Sequence, residues 1–346
     1  MPWPAYSVTP RDAKGISLMT TGNKSRPGFL YSGVFDGRGG AAPIDPRLPD
    51  QGTSGQGVTW IHLDVNDEAS RSWLENNGGL ESMIVDALLA DETRPRSFST
   101  DHGLLVVLRG VNSNPGQDPE DMVSVRVWIE HNRIISTRRR RLLSIIDIQE
   151  MLKQGVGPKT SGGFLSIVVA KLADRIGDFI DDIENRVGVA EDTMTTQDQT
   201  QFRQMVTTLR HQIAAVRRFL APQRDALDRL YRQPGNWLSE NDIRDLRDEA
   251  DRITRYLEDL DLAREQTMVL REEFLGMLAQ EQNSRMYVLS VVAAVFLPLT
   301  FITGLLGMNV GGLPGLNSPL GFVGSLVLMV VAAIGLLAFF RAKKWL

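Results

Sequence analysis

The sequence contains no cysteine, which excludes disulfide bonds and thiolate metal sites. It also has no Asp, Glu, Lys or Arg between Arg285 and Arg341, although charged residues make up 23% of the chain. One helical crossing of a membrane needs about 20 apolar residues. The uncharged stretch is therefore long enough for two crossings, and a purely soluble protein is excluded.

Several other features are missing from the chain. The 38 basic residues do not outnumber the 42 acidic ones, which argues against a nucleic-acid partner. No glycine-rich phosphate loop of the Walker type is present, so we expect neither nucleotide binding nor any cofactor. The segment from Met1 to Tyr6 lacks the charged start and apolar core of a signal peptide. No long apolar run precedes Arg285, which argues against a carrier with many spans.

Residues 1–157 are predicted to form an α+β domain, because short β-branched or aromatic runs are interspersed with helical patterns. The predicted strands are Gly28–Phe35, Val58–Leu63, Gly103–Val111, Met122–Glu130 and Arg133–Thr137. The predicted helices are Asp67–Asn76, Glu81–Ala90 and Leu142–Gln154. The Gly-, Pro- and Asp-rich stretch Gly37–Gly57 is predicted to be a loop.

Residues 158–285 are predicted to be helical, because apolar residues recur at helical spacing from Ser161 to Gln282. Pro234-Gly235-Asn236 breaks this pattern. Ser239 can cap a new helix, with Asp242 as an acidic partner in its first turn. If that helix continues to Leu306, it is about 100 Å long.

Residues 286–346 contain the two predicted membrane spans, Met286–Leu306 and Leu320–Phe340. Positive residues flank the pair: Arg285 on one side, and Arg341, Lys343 and Lys344 on the other. The positive-inside rule then places both flanks and the large N-terminal region in the cytosol, with the uncharged linker outside.

One stripe of residues follows the long helix in alternating steps of three and four, as in helices packed about a common axis. The stripe is acidic at its cytosolic end, apolar in the middle and hydroxyl-bearing near the outer end. Its members are Glu265, Met268, Glu272, Leu275, Ala279, Gln282, Met286, Leu289, Ala293, Phe296, Thr300, Thr303 and Gly307. Helical drift can put Leu297 in place of Phe296. The same pattern fits either a pore lining or a plain coiled-coil seam.

The first span ends in Gly307, Met308 and Asn309. A helix C-terminus leaves carbonyl oxygens unpaired and carries partial negative charge. The Asn309 amide oxygen adds a neutral acceptor. Several such ends around an axis would suit a hydrated cation, because oxygens can bond its water shell without removing it.

The segment Val292–Gly304, followed by Gly307-Met308-Asn309, resembles the first pore helix and Gly-Met-Asn signature of the CorA superfamily of divalent-cation transporters. The tail Arg341–Leu346 is similar to the basic tail of that family. Leu306 stands where magnesium-type members commonly have an aromatic residue, and the loop to Gly321 has no acidic residue. Instead, the linker segment Asn309-Val310-Gly311-Gly312-Leu313-Pro314-Gly315 resembles the ZntB-like, zinc-associated branch.

The resemblance implies a homopentamer in the bacterial inner membrane, with both termini cytosolic. It implies a cytosolic α+β domain, a helical funnel formed by residues 158–285, and one central pore formed by the first spans. It also implies Zn²⁺ as the transported ion, moved inward and coupled to protons, and no enzymatic activity. By position against the motif, Met286, Leu289, Leu297 and Thr300 would line the pore.

The sequence also contains other candidate metal ligands and is compatible with other functions. His62 and Asp64 would face the same way on a strand, and Asp86, Asp91 and Glu92 could bind a regulatory cation between subunits, although packed or solvated surfaces explain both groups more simply. The run from Arg138 to Arg141 is interpreted as an ion-pairing segment. The alternative functions are a broad Mg²⁺, Co²⁺ or Ni²⁺ channel of the same fold, and a membrane-tethered cytosolic sensor or scaffold.

Overall fold

The computed structural model describes residues 27–47, 57–91, 93–196, 198–308 and 320–343. By internal contacts the chain divides into two compact units, Met1–Thr267 and Met268–Leu346. The first unit contains a mixed sheet and most of the helices. The second contains the end of one long helix and one further helix.

The sheet of the first unit has seven strands among the described residues, in the order β2-β1-β3-β7-β6-β5-β4. All neighbouring strands are antiparallel except β3 and β7, which are parallel. The strands are β1 (Phe29–Phe35), β2 (Ala41–Pro43), β3 (Thr59–Asp64), β4 (Arg96–Ser99), β5 (Leu104–Gly110), β6 (Val123–Ile129) and β7 (Arg133–Arg138).

The five predicted strands are confirmed to within a residue or two at each end. The turn at His131-Asn132 joins β6 and β7, with the Glu130 amide donating to the Arg133 carbonyl at 2.8 Å. The prediction of a continuous loop over Gly37–Gly57 is wrong, because β2 lies within it. β2 is only three residues long, and its pairing with β1 creates a strand where the local sequence favours a turn.

Helices α1 (Glu68–Asn76) and α2 (Ser82–Leu89) pack with strand residues in a buried apolar cluster that includes Leu63, Trp73 and Ile84. Helices α3 (Leu143–Lys153) and α4 (Ser161–Thr193) follow β7. A methyl group added at Gly110 of β5 would lie 2.5 Å from Leu172 of α4, so α4 packs closely on the sheet. The three helices predicted in this region are confirmed.

Helix α5 spans Gln199–Arg232 and packs against α4, with a short break between the two helices. The prediction of continuous helix from Ser161 to the break at Pro234 is therefore wrong at residues 194–196 and at Asp198. Asp198 caps the new helix, since its carboxylate accepts hydrogen bonds from the Thr200 and Gln201 amides at 2.9 and 3.2 Å.

Helix α6 spans Glu240–Leu306 without interruption, as predicted. The Ser239 hydroxyl accepts from the Asp242 amide at 3.2 Å, and the Asp242 carboxylate accepts from the Ser239 amide at 2.9 Å. This reciprocal pair is a capping box with aspartate as its acid. From Leu246 to Thr267 the helix buries one residue at every third or fourth position.

The second unit contains the end of α6 and the whole of α7 (Gly321–Ala342). Both α6 and α7 include stretches long and apolar enough to cross a membrane. These stretches agree with the predicted spans Met286–Leu306 and Leu320–Phe340. The linker residues 309–319 and the last three residues, including Lys344, lie outside the described residues.

Candidate ion pathway

The predicted pore-lining residues of α6 form an exposed face. Relative exposures reach 66% at Met286, 69% at Leu289, 62% at Phe296 and 72% at Leu297. The other members of this face are also exposed: Ala293, Thr300, Thr303 and Gly307. We call these eight residues the α6 seam. A large exposed apolar face of this kind needs lipid or another chain against it.

A second stripe of the same helix is partly covered. Its half-buried residues recur at helical spacing and are Val291, Ala294, Val295, Pro298, Leu299, Ile302 and Leu306. Because successive residues of a helix are about 100° apart, this covered stripe lies on the side opposite the α6 seam. Helix α7 has a covered stripe of its own, formed by Gly321, Ser325, Met329, Ala332, Ala333, Leu336 and Phe340. Each apolar helix thus has one partly covered side and one open side.

The hydroxyl groups of the first span donate hydrogen bonds within their own helix. Thr300 Oγ1 donates to the Phe296 carbonyl at 2.8 Å, and Thr303 Oγ1 donates to the Thr300 carbonyl at 2.9 Å. Ser290, which is off the seam, donates to the Met286 carbonyl at 2.8 Å. With its proton engaged, each threonine oxygen presents lone pairs outward. A ring of such oxygens can accept hydrogen bonds from the water around a cation.

The C-terminal end of α6 lies at the predicted Gly-Met-Asn motif. The Gly307 amide donates to the Thr303 carbonyl at 2.9 Å, and the Met308 amide donates to the Leu305 carbonyl at 3.4 Å. In general, the last carbonyls of a helix lie beyond its final hydrogen bonds and give its C-terminal end partial negative charge. Asn309 lies outside the described residues, and its predicted role stays a prediction.

The predicted funnel glutamates, Glu265 and Glu272, are both exposed on α6. A different acidic group stands out in the first unit. Burial, together with the nearby charges of Asp259 and Asp181, raises the pKa of Glu184 above its usual value. Just before the first span, Arg285 pairs with Glu281 one turn earlier. The cytosolic position of Arg285 stays a prediction.

The other residues considered as metal ligands have different partners. His62 is only 1% exposed, and its Nδ1 lies 2.8 Å from the Ser136 hydroxyl, which also accepts from Trp60. Asp64 accepts hydrogen bonds from Asn66 instead. Within the described parts of the chain, no group of three or more His, Asp or Glu residues could hold a metal ion. His62 is therefore a buried, packed residue of the sheet.

The arginine run after β7 forms ion pairs, as predicted. Arg139 pairs with Asp91, and Arg140 pairs with Asp121. The sequence did not indicate that these pairs border a cavity that Arg94, Arg109 and Arg218 also line. Asp86 lies at the surface of α2, and Glu92 lies outside the described residues.

Comparison with known proteins identifies the family. Residues 55–344 match the family model described as CorA-like Mg²⁺ transporter protein. The zinc transport protein ZntB of Yersinia enterocolitica is 35% identical over 317 residues, covering 92% of this chain and 96% of that protein. The divalent cation transporter CmaX of Pseudomonas aeruginosa is 37% identical over 332 residues, covering 92% of this chain and 97% of that protein.

Solved structures agree with this assignment. The structure of the full-length CmaX protein superimposes with a TM-score of 0.80 at 36% identity, covering 93% of this chain and 99% of that chain. The CorA magnesium transporter of Methanocaldococcus jannaschii has a TM-score of 0.79 at 18% identity, covering 92% and 99%, and therefore shares the fold. The expected fold class is confirmed. The chain belongs to the CorA-like family of metal-ion transporters and is not an enzyme.

Proposed function

We propose that this membrane transporter carries Zn²⁺ through a central pore of a homopentamer, in which the α6 seam of each subunit faces the axis. The observation that supports this arrangement is the position of the exposed seam opposite the covered stripe of the same helix. The opposite stripe is half-buried, whereas the seam is exposed, which leaves the seam available to other copies. Family membership makes a transporter a better explanation than a membrane-tethered sensor or scaffold.

The chemistry of the seam suits an ion that keeps its water. Met286, Leu289, Ala293 and Phe296 or Leu297 form an apolar section, which can close a pore by excluding water. Thr300 and Thr303 then offer neutral oxygens, followed by the Gly307-Met308-Asn309 mouth, where carbonyls and the Asn309 amide bind the hydrated cation. Glu265 and Glu272 raise the cation concentration at the cytosolic end.

Zinc is the preferred cargo because several relatives at about a third identity are zinc transport proteins. The linker from Gly307 to Gly321 has no acidic residue, so fixed anionic charge at the mouth is absent and cation attraction depends on dipoles. The resemblance to the zinc-associated branch further leads us to propose inward movement coupled to protons. The second candidate is a broad channel for Mg²⁺, Co²⁺ or Ni²⁺, which the name divalent cation transporter of the CmaX relative favours.

The proposed topology places residues 1–157 as the α+β domain, 158–285 as the funnel and 286–346 as the membrane hairpin. Arg285 precedes the first span, and Arg341 and Lys343 end the second. Positive residues at these two ends favour both termini in the cytosol. The similarity to bacterial metal-ion transporters supports a location in the bacterial inner membrane.

The test is uptake of radiolabelled Zn²⁺ by liposomes containing the purified protein, with a proton gradient imposed or abolished. We expect uptake that depends on the gradient and that excess Mg²⁺ inhibits weakly. If the proton gradient does not change uptake and Mg²⁺ inhibits it strongly, the protein is instead a broad divalent-cation channel. Absence of uptake of any divalent cation would support the anchor hypothesis.

A pair of variants tests the mouth. Asn309→Ala should abolish uptake while the oligomer still forms, because the change removes an ion-facing amide and little packing. Asn317→Ala is the matched control, since it removes the same group elsewhere in the linker. Normal uptake by Asn309→Ala, with oligomer size checked by light scattering, would overturn the assignment of Asn309.

A further inference from the structure

A cavity of about 420 Å³ lies at one edge of the sheet in the first unit and contains none of the proposed pore residues. Its lining comes from strand β4, which is the last strand of the sheet, from helix α2, and from one residue each of β5 and α5. Small-molecule sites in proteins commonly have volumes of about 300–1,000 Å³. The cavity is therefore large enough for a small organic ligand.

The apolar part of the cavity continues the core between α2 and the sheet. Phe98 of β4 is opposite Leu105 of β5, and Leu105 belongs to the buried apolar cluster that also includes Ile84 of α2. Opposed residues of paired strands project from the same face of a sheet, so Phe98 lies on the face that α2 covers. Phe98 is nevertheless 48% exposed, and Met83 of α2 is 53% exposed. Large apolar side chains that stay exposed around a cavity are typical of a binding site.

Helix α5 brings an arginine to this cavity from a distant part of the chain. The Ser97 hydroxyl of β4 donates to the Ala226 carbonyl of α5 at 2.8 Å, which holds the helix beside the edge strand. Arg229 follows Ala226 by three residues and therefore lies on the same side of α5. The lining of the cavity thus includes Arg229 together with Arg96, which precedes Ser97 on the strand.

The charged side chains of the lining are Arg96, Arg229 and Asp86, which leaves one net positive charge. Within the described parts of the chain, none of the three forms an ion pair, with each other or with another residue. The acids of α5 next to Arg229 have other partners, since Asp225 pairs with Arg224 and Asp228 pairs with Arg232. Both guanidinium groups of the cavity are therefore available to a ligand.

We propose that this cavity binds a small aromatic carboxylate, with its ring against Phe98 and Met83 and its carboxylate held by Arg96 and Arg229. A guanidinium binds a carboxylate through two parallel hydrogen bonds and also stacks on aromatic faces. The ring of a phenylalanine and the sulfur of a methionine both make favourable contacts with an aromatic ring. A single negative charge offsets the net charge of the lining, and an apolar body covers the exposed side chains.

The site is separate from the proposed pore, so its test does not require transport. The full-length protein in lipid nanodiscs is dialysed to equilibrium against radiolabelled 2-naphthoate, with empty nanodiscs as the blank for partitioning into lipid. We expect saturable binding above this blank. The neutral amide of the same ring, 2-naphthamide, should compete about tenfold more weakly or less well still, because it forms no charge-assisted hydrogen bonds with the two arginines.

Variants locate the binding to the cavity. Arg96→Gln and Arg229→Gln should each weaken 2-naphthoate binding about tenfold and leave competition by 2-naphthamide unchanged. Met83→Ala should weaken both probes, because it removes apolar contact, and Asp86→Asn should tighten 2-naphthoate binding, because it removes a competing negative charge. All four side chains are exposed, so folding should survive, as oligomer size and melting temperature will verify. Arg203→Gln is the control, since it removes an exposed arginine of α5 that does not line the cavity.

Three results would overturn the proposal. One is the absence of saturable 2-naphthoate binding to the parent protein, which is also the result expected if a second copy of the chain covers the cavity. Another is an equal loss of binding in Arg203→Gln and in the two arginine variants of the cavity, which would indicate general electrostatic attraction. The third is equal binding of 2-naphthoate and 2-naphthamide, which would show that the arginines hold no carboxylate.

Discussion

Replacing Thr300 by Val tests the hydroxyl ring of the proposed pore while preserving its shape. Thr300 Oγ1 donates to the Phe296 carbonyl at 2.8 Å, and that carbonyl lies within α6, where a backbone amide also serves it. The substitution therefore leaves no unpaired carbonyl. We expect the stability to change by no more than about 0.5 kcal/mol, as for most exposed substitutions.

The transport rate should respond differently. A neutral hydrogen bond contributes about 1 kcal/mol, and loss of that amount at the barrier slows a process about fivefold. We therefore expect Thr300→Val to lower the initial rate of Zn²⁺ uptake about fivefold if the hydrated ion makes one hydrogen bond with the ring of Thr300 hydroxyls. Each further simultaneous hydrogen bond should lower the rate about fivefold again. The assay is uptake into liposomes at matched protein content, together with the melting temperature of the detergent-solubilised oligomer.

Ser290→Ala is the matched control for this experiment. Ser290 makes an equivalent hydrogen bond to the Met286 carbonyl at 2.8 Å but lies off the α6 seam. Its loss should leave both rate and melting temperature unchanged. A rate for Thr300→Val within twofold of the parent, or an equal loss in Ser290→Ala, would refute the reasoning about Thr300.

Three further predictions concern the helical and sheet regions. Ser239→Ala should destabilise the chain by about 1 kcal/mol, because it removes half of the capping box with Asp242; an unchanged melting temperature would show that the cap contributes nothing. Burial lowers the pKa of His62 from 6.5 to about 3, so the unfolded chain binds a proton in this range that the folded chain does not. Stability should therefore fall as the pH drops from about 6.5 towards 3, by up to about 1.4 kcal/mol per pH unit, and His62→Gln should flatten this dependence in unfolding experiments; identical slopes would contradict the assignment. Replacing Glu265 and Glu272 together by Gln should slow Zn²⁺ uptake at low ionic strength and have less effect at high ionic strength, whereas a salt-independent change would exclude electrostatic concentration of the ion.

The long helix and the spans could be predicted because their signals are local. Ser239 and Asp242 mark the start of α6, and the uncharged run after Arg285 marks the membrane segment. The break between α4 and α5 was missed because residues 194–198 contain neither Gly nor Pro. Asp198 was the available signal, since its carboxylate caps α5.

The candidate site could be predicted only in part. Periodicity indicated the α6 seam, but the covered stripe at Ile302 and its neighbours depends on packing within the folded chain. The cavity lined by Arg94, Arg109 and Arg218 gave no local signal, because the fold brings these residues together from separate segments. A buried residue such as Arg126 is likewise visible only in three dimensions.

The absence of cysteine allows a direct test of the central claim that the α6 seam surrounds a water-filled axis. Single substitutions Thr300→Cys and Ile302→Cys place one thiol at nearly the same depth on opposite sides of α6, since Thr300 lies on the exposed seam and Ile302 on the covered stripe. The measurement is the rate at which a water-soluble methanethiosulfonate reagent modifies each thiol in the membrane-embedded protein. The account predicts rapid modification of Thr300→Cys, with block of uptake, and slow modification of Ile302→Cys. Faster modification at position 302, or no modification at position 300 under conditions of active uptake, would contradict it.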